Sequence, residues 1–358
     1  MYISMLCNDI HTALETILQR YEQVVVIADE AVTPDWSFPT LRLTTNESMK
    51  SIETVEQIWD FLFSQDMTRR GLLIAIGGGV LTDLAGFAAS TYKRGIDYIT
   101  VPTTLLSMVD AASGGKTGFN YHGLKNSIGV FAPPVETLIW PGWLKTLPSQ
   151  QFLSGFGEML KTGLIDEGLQ VTGDGLWERL LQYDLDTMPL DTLTPLIEAC
   201  VRAKEAIVAA DPHETGLRKI LNFGHTFGHA LEEISLIGEA GHTAKRSYSE
   251  TVLQRSGLLH GYAVVYGLIA ELYLSVTKLG CPKEPLQQLT QLMLHYYGRP
   301  QCKCSDRAQL IALMQQDKKN ERAAEINCTL LRGVGSPVIN QVISSDEANE
   351  AWDYLFSL

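Results

Sequence analysis

The sequence predicts an α/β fold in two parts: a parallel-sheet domain over residues 1–148, then an all-helical domain over residues 149–358. Three observations predict it. In the first part, short apolar runs rich in Val and Ile are separated by helix-length segments, the pattern of strands buried on both faces and joined by crossover helices. A triple glycine closes one of these runs and opens a helix. Beyond residue 148, apolar residues recur with helical rather than strand spacing.

The strand runs are Val24 to Asp29, Leu72 to Gly79 and Tyr98 to Pro102, and the helix after the glycines runs from Val80 to Tyr92. The helical segments of the second part are Phe152 to Ile165, Trp177 to Tyr183, Asp191 to Ala210, Leu221 to Ile234 and Gly261 to Leu279. Residues 236–258 break this pattern; they are polar, and they read as a surface insertion between two histidine motifs. The first domain reads as Rossmann-like and nucleotide-binding, with the site expected in the cleft between the two domains.

Length and composition agree with this organisation. A chain of 358 residues exceeds one small core. With 45% hydrophobic and 19% charged residues it has globular composition. The net charge of −13 works against nucleic acid and anionic membranes as partners. An anionic small molecule therefore needs a local basic pocket. The first residues lack the basic and apolar regions of a signal peptide, and no run reaches the length of an uninterrupted membrane span. Six cysteines without paired Cys-x-x-Cys spacing fit reduced thiols, and a cytoplasmic location is expected.

Four clusters carry candidate chemistry. Gly77-Gly78-Gly79 leads into Val80, Leu81, Thr82 and Asp83 at a strand-to-helix turn. Thr82 stands where a G-x-G-x-x-G fingerprint needs its third glycine, so this turn fits a phosphate cradle or a purely structural bend. The segment from Pro102 to Asn120 contains Gly114-Gly115-Lys116, a cation beside backbone that a ligand can approach closely; Lys125 and Asn126 follow. A glycine-rich surface loop is the plainer reading. His225 and His229 lie at i and i+4 on one helical face, His260 precedes another helix, and Glu158 lies upstream with Lys161 one turn on. Two histidines and a carboxylate with an open position are a catalytic zinc pattern, although i, i+4 histidines also occur in cores and on surfaces. Finally, Lys204, Arg218, Lys318 and Lys319 place cations near these motifs in an acidic chain.

In this order the motifs resemble the dehydroquinate synthase family, within the sugar-phosphate cyclases. The resemblance runs from Asn46-Glu47-Ser48-Met49-Lys50 to Asp317-Lys318-Lys319. It includes GGGVLTDLAGFAAS, VPTTLLSMVDAASGGKTG, LKNSIGVF, GFGEMLKTGLI and LNFGHTFGHALE. The resemblance implies NAD and a divalent metal, zinc or cobalt, as cofactors. It assigns the metal to Glu158, His225 and His260. It assigns NAD to Glu47, Lys50, Gly79, Asp83, Thr103, Thr104, Lys125 and Thr146, with Lys116 between cofactor and substrate. Substrate contacts fall to Asp110, Asn126, Lys161, Lys204, Arg218, Asn222, His229 and Lys318 or Lys319. Arg94 matches an arginine that reaches the neighbouring subunit's site, which implies a homodimer. The chain departs from the family pattern at Thr82, at Leu124 within the Gly-Lys-Asn loop, and at Tyr262 where the family has glutamate. The spacing from His229 to His260 is also longer. None of these changes replaces a ligand.

The implied reaction converts 3-deoxy-D-arabino-heptulosonate 7-phosphate, an anionic sugar phosphate, to 3-dehydroquinate and phosphate. It is redox-neutral: hydride leaves C5 for the cofactor and later returns, phosphate departs by β-elimination between these steps, and an aldol step closes the ring. The cation set suits the substrate's carboxylate and phosphate. Rival readings are another cyclase (a valiolone or inosose synthase), a metal-dependent polyol dehydrogenase, and a non-enzymatic nucleotide-binding scaffold. A dehydrogenase needs no phosphate-binding lysines, and a scaffold would be expected to have lost ligands that are all present here.

Overall fold

A computed structural model of the chain describes residues 4–32, 36–122, 124–166, 175–237, 257–300, 306–316 and 325–358. The chain divides into two compact units, Met1–Phe152 with Pro189–Glu205 and Leu153–Met188 with Ala206–Leu358.

The first unit contains β1 (Ser4–Leu6), α1 (Ile10–Leu18), β2 (Val24–Asp29), β3 (Thr40–Leu43), α2 (Ile52–Ser64), β4 (Leu72–Gly77), α3 (Gly79–Thr91), β5 (Asp97–Pro102), β6 (Lys116–Tyr121), β7 (Leu124–Phe131) and β8 (Glu136–Ile139). Six of these strands form one parallel sheet in the order β1-β8-β5-β4-β2-β3. The continuous apolar runs have a direct cause. Along β4, Leu72, Ile74 and Ile76 pack with Ile10, Leu14 and Ile17 of α1, while Leu73 and Ala75 pack with Val55 and Ile58 of α2 and with Leu84 of α3. Both faces are therefore buried, and each fully buried Leu or Ile contributes roughly 1.5–3 kcal/mol. At the other end of α1, Asp9 caps the helix by accepting from the backbone N–H groups of His11 and Thr12.

β2 matches the run read from sequence, and β4 stops at Gly77 because Gly78 turns the chain into α3. The glycine-rich segment after β5 is more ordered than a loop. β6 and β7 form an antiparallel hairpin in which Gly118 faces Gly129. Glycines normally read as breakers, and every residue of β7 is exposed, so no alternation marked these strands.

After Ser149 the chain is mainly helical: α4 (Ser149–Asp166), α5 (Leu176–Leu181), α6 (Thr194–Ala210), α7 (His225–Ile237), α8 (His260–Leu279), α9 (Glu284–Leu292) and α10 (Arg307–Gln315). β9 (Ile326–Leu331), β10 (Pro337–Ile343) and α11 (Ser345–Ser357) complete it. The antiparallel pair of β9 and β10 is an addition to the all-helical reading. α6 begins in the first unit, which brings Lys204 with it. α8 is long and apolar enough to cross a membrane by composition, but 67% of that stretch is buried within the fold, as in a core helix. Of the polar segment 236–258, residues 238–256, including His242, lie outside the described residues.

Candidate functional site

α4, α7 and α8 each bring one ligand-type side chain to a common point in the second unit. A carboxylate oxygen of Glu158 and ring nitrogens of His225 and His260 all lie within 4.8 Å of one another. Glu158 Oε1 is 3.5 Å from His225 Nε2 and 3.0 Å from His260 Nε2. The other ring nitrogens face acceptors. His225 Nδ1 lies 3.1 Å from the Phe223 carbonyl, and His260 Nδ1 lies 3.2 Å from Glu232 Oε2. Both Nε2 atoms are thereby left for the shared point. Backbone packing sets this geometry. A Cβ on Gly261 would lie 1.7 Å from the Ser154 carbonyl oxygen, so only glycine lets the start of α8, and His260 with it, sit against α4.

The charges at this point also suit a cation. Glu158 is 1% exposed, and Lys161, one turn on, ion-pairs with it. Burial disfavours the His260 cation, but the carboxylates of Glu232 and Glu158 override it and raise its pKa to about 10. Two imidazole nitrogens and a carboxylate converging on one point are the donor set of a catalytic zinc or cobalt ion. Such an ion would displace the His260 proton as it binds. His229 lies one turn beyond His225, with ring centroids 5.5 Å apart and the rings edge-on.

A second cluster in this unit is built on Asp211. Its carboxylate accepts from the backbone N–H groups of Gly216 at 2.7 Å, Thr215 at 3.0 Å and Arg218 at 3.1 Å. The bonds from Gly216 and Thr215 chiefly hold its pKa down at about 2. The loop folded around Asp211 carries Arg218, which is 3% exposed and donates from Nη1 to the Pro212 carbonyl at 2.8 Å. Asn222 Nδ2 donates to Glu214 Oε1 at 3.0 Å. Glu214, which lies between Asp211 and Arg218 in the chain, was not singled out from sequence. Tyr262 packs edge-on against Tyr297, with centroids 4.9 Å apart.

In the first unit, the candidates gather after the sheet's β4 and β5 strands and along the hairpin. Lys50, 5% exposed, donates to Asp83 Oδ2 at 2.5 Å. Asn120 ties several candidates together. Its backbone N–H donates to the Lys50 carbonyl at 2.8 Å, its Nδ2 donates to Glu47 Oε1 at 2.8 Å, and its Oδ1 accepts from the Asn126 N–H at 2.8 Å. Sequence reading missed Asn120 because a lone asparagine near a turn carries no pattern of its own. Thr103 N–H donates to the Gly77 carbonyl at 3.0 Å, and the Thr104 and Ser107 hydroxyls are 2.8 Å apart. Gly79 faces Ala111, whose Cβ would lie 2.9 Å from a Cβ placed on it. Asp83, Ala111, Gly115 and Lys116 line one cleft.

Lys204 Nζ donates to both the side chain and the backbone carbonyl of Asp110. The remaining candidates are placed individually. Lys125 is exposed on β7, Thr146 ends the 3-10 turn Pro141–Thr146, and Arg94 is exposed at φ +67° between α3 and β5. Lys318 and Lys319 lie outside the described residues.

Known proteins are similar to this chain over nearly its whole length. The family model described as 3-dehydroquinate synthase N-terminal matches residues 40–154, and the one described as 3-dehydroquinate synthase C-terminal matches residues 155–320. A 3-dehydroquinate synthase of Parabacteroides distasonis is 37% identical, covering 98% of this chain and 96% of that protein. One of Methylacidiphilum infernorum is 36% identical over 90% of this chain and 82% of its own length. Among solved structures, 2-epi-5-epi-valiolone synthase of Streptomyces hygroscopicus subsp. jinggangensis, with NAD+ and Zn2+ bound, is 26% identical. It matches with a TM-score of 0.78 over 100% of this chain and 97% of that chain. A probable glycerol dehydrogenase of Sinorhizobium meliloti, 13% identical at a TM-score of 0.60 over 99% of this chain and 96% of its own, shares the fold alone.

Proposed function

This chain belongs to the 3-dehydroquinate synthase family, and we propose that it catalyses that family's reaction, eliminating phosphate from a seven-carbon keto-acid sugar phosphate as it closes a carbocycle. The observation that carries the reading is the convergence of Glu158, His225 and His260 within a chain that matches the family over residues 40–320. When bound, a zinc or cobalt ion supplies Lewis-acid stabilisation of a substrate oxygen, and NAD supplies reversible hydride transfer. NAD and zinc bound to the valiolone synthase support both assignments.

The chain's own residues hold and position. Glu158, His225 and His260 would hold the ion. Lys161, on the buried carboxylate of Glu158, balances its charge, and the family resemblance gives its ammonium a substrate contact. His229 shares the face of α7 with His225, where an imidazole can accept or return a proton on the substrate. Arg218 is pre-formed by the loop around Asp211, so its planar fork can meet a carboxylate or phosphate with little loss of freedom. Lys204 and Asp110 form a second charged pair suited to substrate hydroxyls or phosphate. In the first unit, Glu47, Lys50 and Asp83 are assigned to NAD by the family resemblance; Lys50 is paired with Asp83, and Asn120 bonds both Glu47 and the Lys50 backbone. Lys318 and Lys319 remain candidates for phosphate. A homodimer, with Arg94 reaching the partner's site, and a cytoplasmic location complete the reading.

The test is incubation with 3-deoxy-D-arabino-heptulosonate 7-phosphate, NAD and a divalent metal, following phosphate release and carbocycle formation together. Both signals at equal rates are expected. Phosphate release with a different carbocycle, from a different sugar phosphate only, would replace this reading with another cyclase, such as the valiolone synthase to which the chain is similar.

A further inference from the structure

A buried acid in an apolar helix needs partners, and Glu271 has unusual ones. It lies within α8, and none of its surface is exposed. Its two carboxylate oxygens accept from the backbone N–H groups on either side of His225. Oε2 accepts from Gly224 at 2.6 Å, and Oε1 accepts from Thr226 at 3.1 Å. These donors belong to the entry of α7, where a helix has no acceptors of its own and where its dipole favours an anion. Glu271 thus grips the backbone that carries one ligand, from the helix that carries another.

The contact is returned. Glu232, two turns along α7 from His225, meets His260 Nδ1 at 3.2 Å. Glu271 lies about three turns along α8 from His260, so each glutamate shares a face with its own helix's histidine. The helices are close enough for both contacts because α8 has Gly267 at the crossing, where a Cβ would lie 1.9 Å from the Gly224 carbonyl oxygen.

We propose that Glu232 and Glu271 form a reciprocal brace, in which each histidine-bearing helix also supplies the carboxylate that positions the other helix's histidine. Glu232 selects the tautomer of His260 that turns Nε2 toward Glu158. Glu271 sets the position and direction of the His225 backbone. Both are positioning residues; neither holds the metal itself. The proposal rests on the metal reading above, and its readout is metal affinity rather than turnover.

The experiment strips the full-length protein with a chelator, reloads it with cobalt(II), and measures cobalt affinity by visible absorption in competition with that chelator. Loss of a carboxylate behind a histidine ligand typically weakens metal binding by about 10–100-fold, and Glu232→Ala is expected to fall in that range. Glu232→Gln, whose amide oxygen still accepts from Nδ1, should recover most of the affinity, a rescue that simple loss of packing would not show. In Glu271→Gln one of the two backbone donors meets an amide NH2 instead of an oxygen. This variant should bind cobalt more weakly while binding NAD as wild type does. If circular dichroism shows Glu271→Gln unfolded, the Glu232 pair alone decides. Wild-type cobalt affinity in folded Glu232→Ala overturns the brace and leaves the metal reading standing. A wild-type chain that binds no cobalt overturns both.

Discussion

Lys204 Nζ lies 2.7 Å from Asp110 Oδ1 and also bonds the Asp110 backbone carbonyl, joining α6 to the turn Ser107–Ala111 that follows β5. The Lys204 ammonium is largely buried, whereas Asp110 keeps 28% of its side chain exposed. The lysine thus has a structural task besides any role with substrate.

Removing one partner should separate these tasks. Lys204→Met leaves Asp110 without its cation, at an expected cost of about 1–3 kcal/mol in unfolding free energy and with loss of most turnover. The double variant Lys204→Met with Asp110→Asn should regain part of the stability and none of the activity. Chemical denaturation and a phosphate-release assay read the two effects. A double variant with purely additive loss would show that the pair is not coupled.

The Asp211 loop should respond to acid. Its folded pKa of about 2 is below its unfolded value of about 3.9, so its stabilising bonds are fully present above pH ~4. Their contribution falls as the pH drops through that window and is lost as it passes about 2. Urea midpoints measured across this range should fall more steeply for wild type than for Asp211→Asn. At neutral pH the same substitution should raise KM through a displaced Arg218. Parallel pH curves for the two proteins would remove Asp211 as the organiser of this loop.

Redox accounting separates a cyclase from a dehydrogenase. Hydride that leaves and returns within one turnover lets a trace of NAD support many turnovers, with no build-up of absorbance at the NADH wavelength. Stoichiometric NADH release is the outcome that the dehydrogenase reading requires.

His260 is expected to be the distant metal ligand in preference to His242. His260→Ala should lose bound metal and turnover, while His242→Ala should retain both, as measured by metal content of the purified protein and by phosphate release. Metal lost with His242 and kept without His260 would sink the assignment. The first outcome is favoured by the 3.0 Å approach of His260 to Glu158.

Arg94 tests the dimer. Mixed with a Glu158→Ala chain, Arg94→Ala should regain activity through heterodimers that contain one complete site. Verified heterodimers without activity would place Arg94 in its own subunit's site or off the site altogether.

The sequence by itself determined the family and the middle of the parallel sheet. Glu158, His225 and His260 were assigned through the family resemblance, since the i, i+4 histidine spacing alone also fits a core or a surface, and the strands β2, β4 and β5 were legible as unbroken apolar runs, because burial of both sheet faces leaves a continuous local signal. Only the tertiary structure decided what depends on contacts between distant segments. The hairpin of β6 and β7 has glycines where a strand pattern should show, and an exposed face in place of an alternating one. The helical pattern near Leu221 begins four residues before α7 itself, because Leu217–Asn222 forms a 3-10 turn and Phe223 is extended. Asn120, Glu232 and Glu271 look like ordinary polar residues until the fold brings Glu47, His260 and the entry of α7 to them. A carboxylate's role is set by the donor it meets. When that donor lies on another element of the fold, no local periodicity records the pairing.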